Sequence, residues 1–257
     1  MLAFFLKKQK TIRWCAYWGG WLLALVLAGF IAPKVCRHLY LRLPAVQQEN
    51  WNQIMAVKKA RFARPWRDER PLVVLAGDSH IEMGDWYDTF GGAFAMRNCG
   101  LSRAKIEDVC SLVSALGDRN PEAVILMCGF NNLAQNDSVE ASINHYQELL
   151  SITQATLHPG KIVVLSVMPL QVSPVDKAGQ AINRKIAFFN RQLEIICGEH
   201  HAVFVNINPA VMDADGSLLS SLAIDGLHLN REGYNRLAAV LLPFLTQNHS
   251  SANHASH

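Results

Sequence analysis

From residue 71 onward the chain alternates short, wholly apolar runs with longer stretches of helical periodicity, and this alternation restricts the possible folds most. Apolar runs at 72–76, 93–96, 123–128, 162–167 and 203–207 read as buried strands. Between and after them, residues 105–116, 138–157, 177–199 and 231–245 read as helices. Strands alternating with helices require crossovers, hence a parallel sheet covered on both faces, an α/β architecture. In such a sheet the chemistry collects at the carboxyl ends of the strands.

Half of the residues are hydrophobic, and part of that share lies outside the alternating region. Residues 14–33 form an uncharged apolar run, about the 20 residues that a membrane-spanning helix needs. Lys7, Lys8, Lys10 and Arg13 precede it, and Trp14, Tyr17, Trp18 and Trp21 gather at its start, as suits a headgroup boundary. The alternative is a cleaved signal peptide, for which Phe30-Ile31-Ala32-Pro33 is a poor cleavage site.

The expected organisation is a basic segment at 1–13, a signal-anchor helix at 14–33 and a basic juxtamembrane stalk at 34–70. A catalytic domain at 71–246 and a disordered tail at 247–257 complete it. Residues 46–62 of the stalk are expected to be helical. The four basic residues before the run, against Lys34, Arg37 and Arg42 after it, favour a single-pass protein with its domain on the outer side, periplasmic or extracellular. A net charge of +3 without a basic stripe argues against nucleic acid as a partner. The six cysteines show no metal-ligand spacing, and His249, His254 and His257 lie in the tail without a frame. Neither a metal nor a cofactor is expected.

Three short segments fall at expected strand ends. Gly77-Asp78-Ser79-His80 follows the first apolar run, where glycine permits a sharp turn. Asp78 either fixes that turn through backbone hydrogen bonds or acts as an acid. Gly129-Phe130-Asn131-Asn132 follows the third run. There a side-chain amide can donate to the negative oxygen of a tetrahedral intermediate, a contact worth about 3 kcal/mol of barrier; the alternative is an Asn-rich turn. Asp225-Gly226-Leu227-His228 precedes the last helix, with Asn230 as its N-cap. A serine hydroxyl needs a base, and a histidine needs a partner that fixes its tautomer. Ser79, His228 and Asp225 supply all three parts.

With Asn98-Cys99-Gly100-Leu101-Ser102 placed between them, these blocks resemble the SGNH (GDSL) hydrolases over residues 71–245. The resemblance implies a three-layer α/β/α flavodoxin-like sandwich with a five-stranded parallel sheet. It implies Ser79 as nucleophile, His228 as general base and Asp225 as its orienting partner. The oxyanion donors it implies are the Ser79 backbone N–H and the Asn131 side chain. A further backbone N–H comes from the position where the family commonly has glycine and this chain has Arg103. Gly100 is the alternative donor if the register shifts. Two other departures are His80, in place of an apolar residue, and Asn132, in place of aspartate. In the family's sheet Cys99 and Cys128 flank the first strand from opposite sides, about 10 Å apart and too far for a disulfide.

The expected activity is that of a membrane-anchored serine esterase acting on an acyl ester, with the O-acetyl groups of a cell-envelope glycan as substrate. Within enzymes the alternatives are a lysophospholipase or thioesterase and an O-acyltransferase. Outside them, the alternative is a non-catalytic domain that binds acylated glycan in an envelope assembly.

Overall fold

The computed structural model describes residues 44–65, 68–90 and 92–246. Packing divides the chain into Met1–Ala56 and Val57–His257. The apolar run at 14–33, the basic segment at 1–13, the first part of the stalk and the tail lie outside the described residues. Among the described residues no helix is long and apolar enough to cross a membrane.

Within the segment expected as a stalk lies helix α1 (Pro44–Phe62), which covers the expected helix at 46–62. Its last residues, from Val57, already belong to the unit that carries the sheet, so that unit begins ahead of the boundary expected at 71. The cause is packing: Phe62 is buried, and the Arg97 guanidinium donates to the carbonyls of Arg61, Phe62 and Arg64 where the helix ends. A cation is favoured at that end, where the last carbonyls have no helical partners.

The larger unit runs β1 (Leu72–Gly77), α2 (Ser79–Glu82), α3 (Trp86–Phe90), β2 (Ala95–Gly100), α4 (Ile106–Ser114), β3 (Ala123–Met127), α5 (Phe130–Ala134) and α6 (Val139–Leu157). It continues with β4 (Ile162–Leu165), α7 (Lys177–Glu199), β5 (Val203–Val205), α8 (Asn208–Val211), a 3-10 turn (Ser220–Leu222) and α9 (Arg231–Thr246). The five strands form one parallel sheet in the order β2-β1-β3-β4-β5.

Strand alternation sorts the core into two layers. Val73, Leu75, Ile125, Met127, Val163 and Leu165 share one cluster with Trp86 of α3 and with Leu237, Leu241 and Leu245 of α9. Val74, Ala76, Val124, Leu126 and Val164 alternate with them and are equally buried. On that side α4 packs on β1, α6 packs on α4 and α7, and α7 packs on β5. Truncating one such leucine to alanine costs about 2–5 kcal/mol. The long helices start where side chains satisfy their first N–H groups: Ser138 Oγ accepts from Ala141 and Asp176 Oδ1 from Gly179.

Two boundaries differ from expectation. Strand β2 starts at Ala95 and runs through Gly100, because pairing with β1 sets the register from Leu72↔Ala95 to Gly77↔Gly100. Strand β5 stops at Val205. Cys99 and Cys128 are buried free thiols; burial raises both, Cys99 to about 12.

Candidate active site

Strand β1 ends at a very close approach. A Cβ on Gly77 would lie 2.0 Å from the Met127 carbonyl oxygen, so no larger residue fits. The chain turns there, the Asp78 N–H donating to Met127 (3.2 Å) and the Leu101 N–H to Gly77 (3.0 Å). Asp78 caps the short helix α2, its Oδ1 accepting from the His80 backbone N–H at 3.0 Å. Of the two readings of Asp78, the turn-fixing one matches these bonds. Ser79 therefore opens α2 at the carboxyl edge of the sheet.

The loop before α9 brings its residues to the same edge. The Ser79 hydroxyl lies 2.9 Å from His228 Nε2, and His228 Nδ1 lies 2.8 Å from Asp225 Oδ2. A carboxylate only accepts, so Nδ1 carries the proton and Nε2 presents its lone pair to the serine. Asp225 Oδ1 also accepts the backbone N–H groups of His228 (2.8 Å) and Leu227 (3.1 Å). These bonds hold its carboxyl below the usual carboxylate range, the His228 backbone N–H contributing most and the ring N–H next. The loop is closed by Ile224 N–H to His228 O (2.8 Å) and tied outward by Gln171 N–H to Gly226 O (2.8 Å). Asn230 caps α9, its Oδ1 accepting from Gly233 N–H at 3.0 Å.

The oxyanion candidates separate clearly. Arg103 is the third residue of a turn closed by the Ala104 N–H to Leu101 O (3.0 Å), with φ at +69°. That left-handed conformation suits glycine and costs an arginine about 1–2 kcal/mol. Gly100, the alternative donor, is corrected by its bonding. Its N–H is already donated to Asn98 Oδ1 at 2.9 Å. Its glycine is explained instead by packing, since a Cβ would sit 2.2 Å from the Glu82 backbone nitrogen. Asn131 Nδ2 donates one hydrogen to the Ala104 carbonyl at 3.0 Å, which fixes the amide beside the Arg103 turn and leaves its second hydrogen.

Of the residues that buttress this edge, Lys58 and Glu82 carried no signal in the sequence. The Glu82 carboxylate accepts from Ser102 N–H (2.7 Å), Ser102 Oγ (2.5 Å) and Lys58 Nζ (2.5 Å), pinning the turn that carries Arg103. Burial raises the Glu82 pKa, and the Lys58 and Ser102 donors outweigh it and bring it down. Asn98 Nδ2 donates to the carbonyl of Ile81 at 2.8 Å, capping α2. Asn132 is fully buried and joins three partners: Ile106 N–H, Glu107 and Asp137. Its replacement of aspartate thus serves as a clamp between α5 and α4.

Trp86 is core, its Nε1–H donating to Ile81 O at 2.7 Å. Met83 and Ile224 are exposed and line a cleft of about 260 Å³ with Asp85, Thr89 and Arg231. Neither Ser79 nor His228 lines it. Among the described residues no group of acidic, histidine and cysteine side chains is arranged to hold a metal.

A family model described as GDSL-like Lipase/Acylhydrolase matches residues 76–236. Platelet-activating factor acetylhydrolase IB subunit alpha1 of Bos taurus is 24% identical over 199 residues, which cover 73% of this chain and 82% of the relative. A GDSL-like lipase from Bacteroides thetaiotaomicron superposes with a TM-score of 0.59 at 21% identity, over 75% of this chain and 96% of that one. The acetylxylan esterase of Geobacillus stearothermophilus gives 0.54 at 17%, over 70% and 96%; at such identities structural likeness speaks for the fold alone. The family model spans more than half of the chain, and the protein therefore belongs to the GDSL-like lipase/acylhydrolase family of ester hydrolases.

Proposed function

We propose that the protein removes short acyl groups, acetyl above all, from the hydroxyls of a cell-envelope glycan, with Ser79 as nucleophile. One observation carries the chemistry: Ser79 Oγ, the His228 ring and the Asp225 carboxylate form a continuous hydrogen-bonded chain of 2.9 and 2.8 Å.

His228 Nε2 takes the Ser79 proton as Oγ bonds to the ester carbonyl carbon, and the carbonyl oxygen becomes negative. The Asn131 amide and the backbone N–H groups of Ser79 and Arg103 are the donors for that oxygen. Collapse breaks the carbon–oxygen bond to the alcohol, which leaves with the proton held on His228. Water then repeats the sequence on the acyl-enzyme, His228 again taking the proton, and the free acid leaves with Ser79 restored. Asp225 holds the tautomer and stabilises the imidazolium at each stage.

The acyl preference rests on the relatives: one is named an acetylhydrolase and another an acetylxylan esterase. The envelope location rests on the apolar run at 14–33 and the basic residues before it, which we read as an anchor with the domain on the outer side. The test uses the full chain in mild detergent against acetyl, butyryl and dodecanoyl esters of one phenol, then against acetylated envelope polysaccharide. The expected result is the highest kcat/KM on the acetyl ester and acetate release from the polysaccharide. Preference for the dodecanoyl ester would move the substrate to lipids.

A further inference from the structure

His80 is a histidine where the family commonly has an apolar residue, and it is buried against the site without being one of its reacting groups. Its side chain is 3% exposed. One ring nitrogen, Nδ1, lies 3.2 Å from Asp78 Oδ1 and the other, Nε2, lies 3.1 Å from the carbonyl oxygen of Leu227. Both partners are acceptors. A carbonyl has no hydrogen to give, so Nε2 carries one. A neutral ring would then turn the Nδ1 lone pair toward a carboxylate oxygen, whereas the doubly protonated ring bonds both partners.

Leu227 is the residue before His228, so the bond reaches from the nucleophile turn to the loop that carries the base. The same turn is held from α9, where the Tyr234 hydroxyl donates to the His80 carbonyl at 2.8 Å. The His80 and His228 rings lie 5.4 Å apart.

We propose that His80, as an imidazolium bridging the Asp78 carboxylate and the Leu227 carbonyl, is a positioning residue that holds the Asp225–His228 loop in register with Ser79. This rests on the reading of Ser79 and His228 given above. The ionisable groups around it are Asp78 on its own turn, Asp225 and His228 on the facing loop and Tyr234 on α9. Burial works against the charged ring, and the hydrogen bond and charge of Asp78, with smaller help from Leu227 and Asp225, prevail and raise its pKa. An isolated buried imidazolium would be costly, and the adjacent carboxylate is what makes it tenable.

Three variants of the full chain separate the two ends of the bridge. His80→Gln keeps a donor long enough to reach Leu227, His80→Asn keeps only the reach to Asp78, and His80→Leu keeps neither. The expected result is a fall in kcat of about 10²-fold for Leu and Asn with KM little changed, and substantial recovery for Gln, as misplacement of a base predicts. Proton NMR supplies a readout independent of turnover. The hydrogen-bonded Nδ1–H of His228, assigned by its absence in His228→Ala, should persist in Gln and broaden in Asn. Full activity in Leu, or recovery by Asn and not by Gln, would overturn the proposal; if Leu does not fold, the Gln–Asn pair decides. Should the unmodified chain hydrolyse no ester, the esterase reading fails, while the NMR comparison still tests the tether.

Discussion

Asp78, Ser79 and His80 are 2%, 9% and 2% exposed, whereas the side chains of Asp225 and His228 are 53% and 20% exposed. The first group sits at the end of β1, an inner strand of the sheet, over a glycine that cannot be replaced, in a turn bonded to β3 and to the chain after β2. The second sits on a loop closed by its own Asp225 and held outward by bonds such as those from Gln171 and His80. The proposed nucleophile is held by burial and the proposed base by hydrogen bonds. Burial is not adjustable by a single surface change; a bonded loop is, so the base side is where the catalytic geometry is set and lost.

Removing the base from the exposed side should have the largest effect. His228→Ala should lower kcat on an acetyl ester by a factor on the order of 10⁴–10⁶ with the fold intact, as loss of a triad base does elsewhere. A mild loss with unchanged secondary structure would mean that another group takes the serine proton.

Asp225→Asn probes how the loop holds itself. The Asp225 carboxyl has a folded pKa below its unfolded one, so its contribution is fully present above about pH 4 and fades as pH falls through the lower folded value. Thermal melts should therefore show the parent above the variant at pH 7 and the gap narrowing toward pH 3. A gap that widens on acidification would contradict the assigned bonds.

On the rigid side, Asn131→Ala should lower kcat by about 10²–10³-fold while leaving KM nearly unchanged, the signature of a donor used only in the transition state. A rise in KM at constant kcat would place the amide in substrate binding instead.

The smallest expected effect is at Arg103. Arg103→Gly relaxes a left-handed residue and should raise Tm by about 2–4 °C, with the backbone N–H, and hence turnover of a neutral ester, preserved. A lost rate with neutral esters would show that the guanidinium itself takes part.

The sheet was readable in the sequence because β1, β3 and β4 are short apolar runs buried on both faces and each long helix keeps its period. By contrast, β2 carries Arg97 and Asn98 and β5 begins at the exposed Val203, which is where the expected bounds were off. The candidate site residues were readable because Ser79 and Asn131 follow strand ends and the Asp225–His228 pair precedes the last helix, positions that backbone geometry alone carries to the carboxyl edge of the sheet. What supports them was not. His80 meets Leu227 across 147 residues, Lys58 meets Glu82 across 24, and Asn132 meets Ile106 across 26. Such side-chain bonds have no period and no fixed spacing. Gly100 misled for a related reason: its glycine answers to the Glu82 backbone packed on it, and a sequence shows the small residue without its neighbour.

The central claim is that Ser79 is the nucleophile and that His228 makes it one. Labelling of the full chain with a fluorophosphonate probe, followed by peptide mass mapping, tests both parts at once. The account predicts a single adduct on Ser79 in the parent, none in Ser79→Ala, and labelling slowed by orders of magnitude in His228→Ala. An adduct on another residue, or equal labelling rates with and without His228, would contradict it.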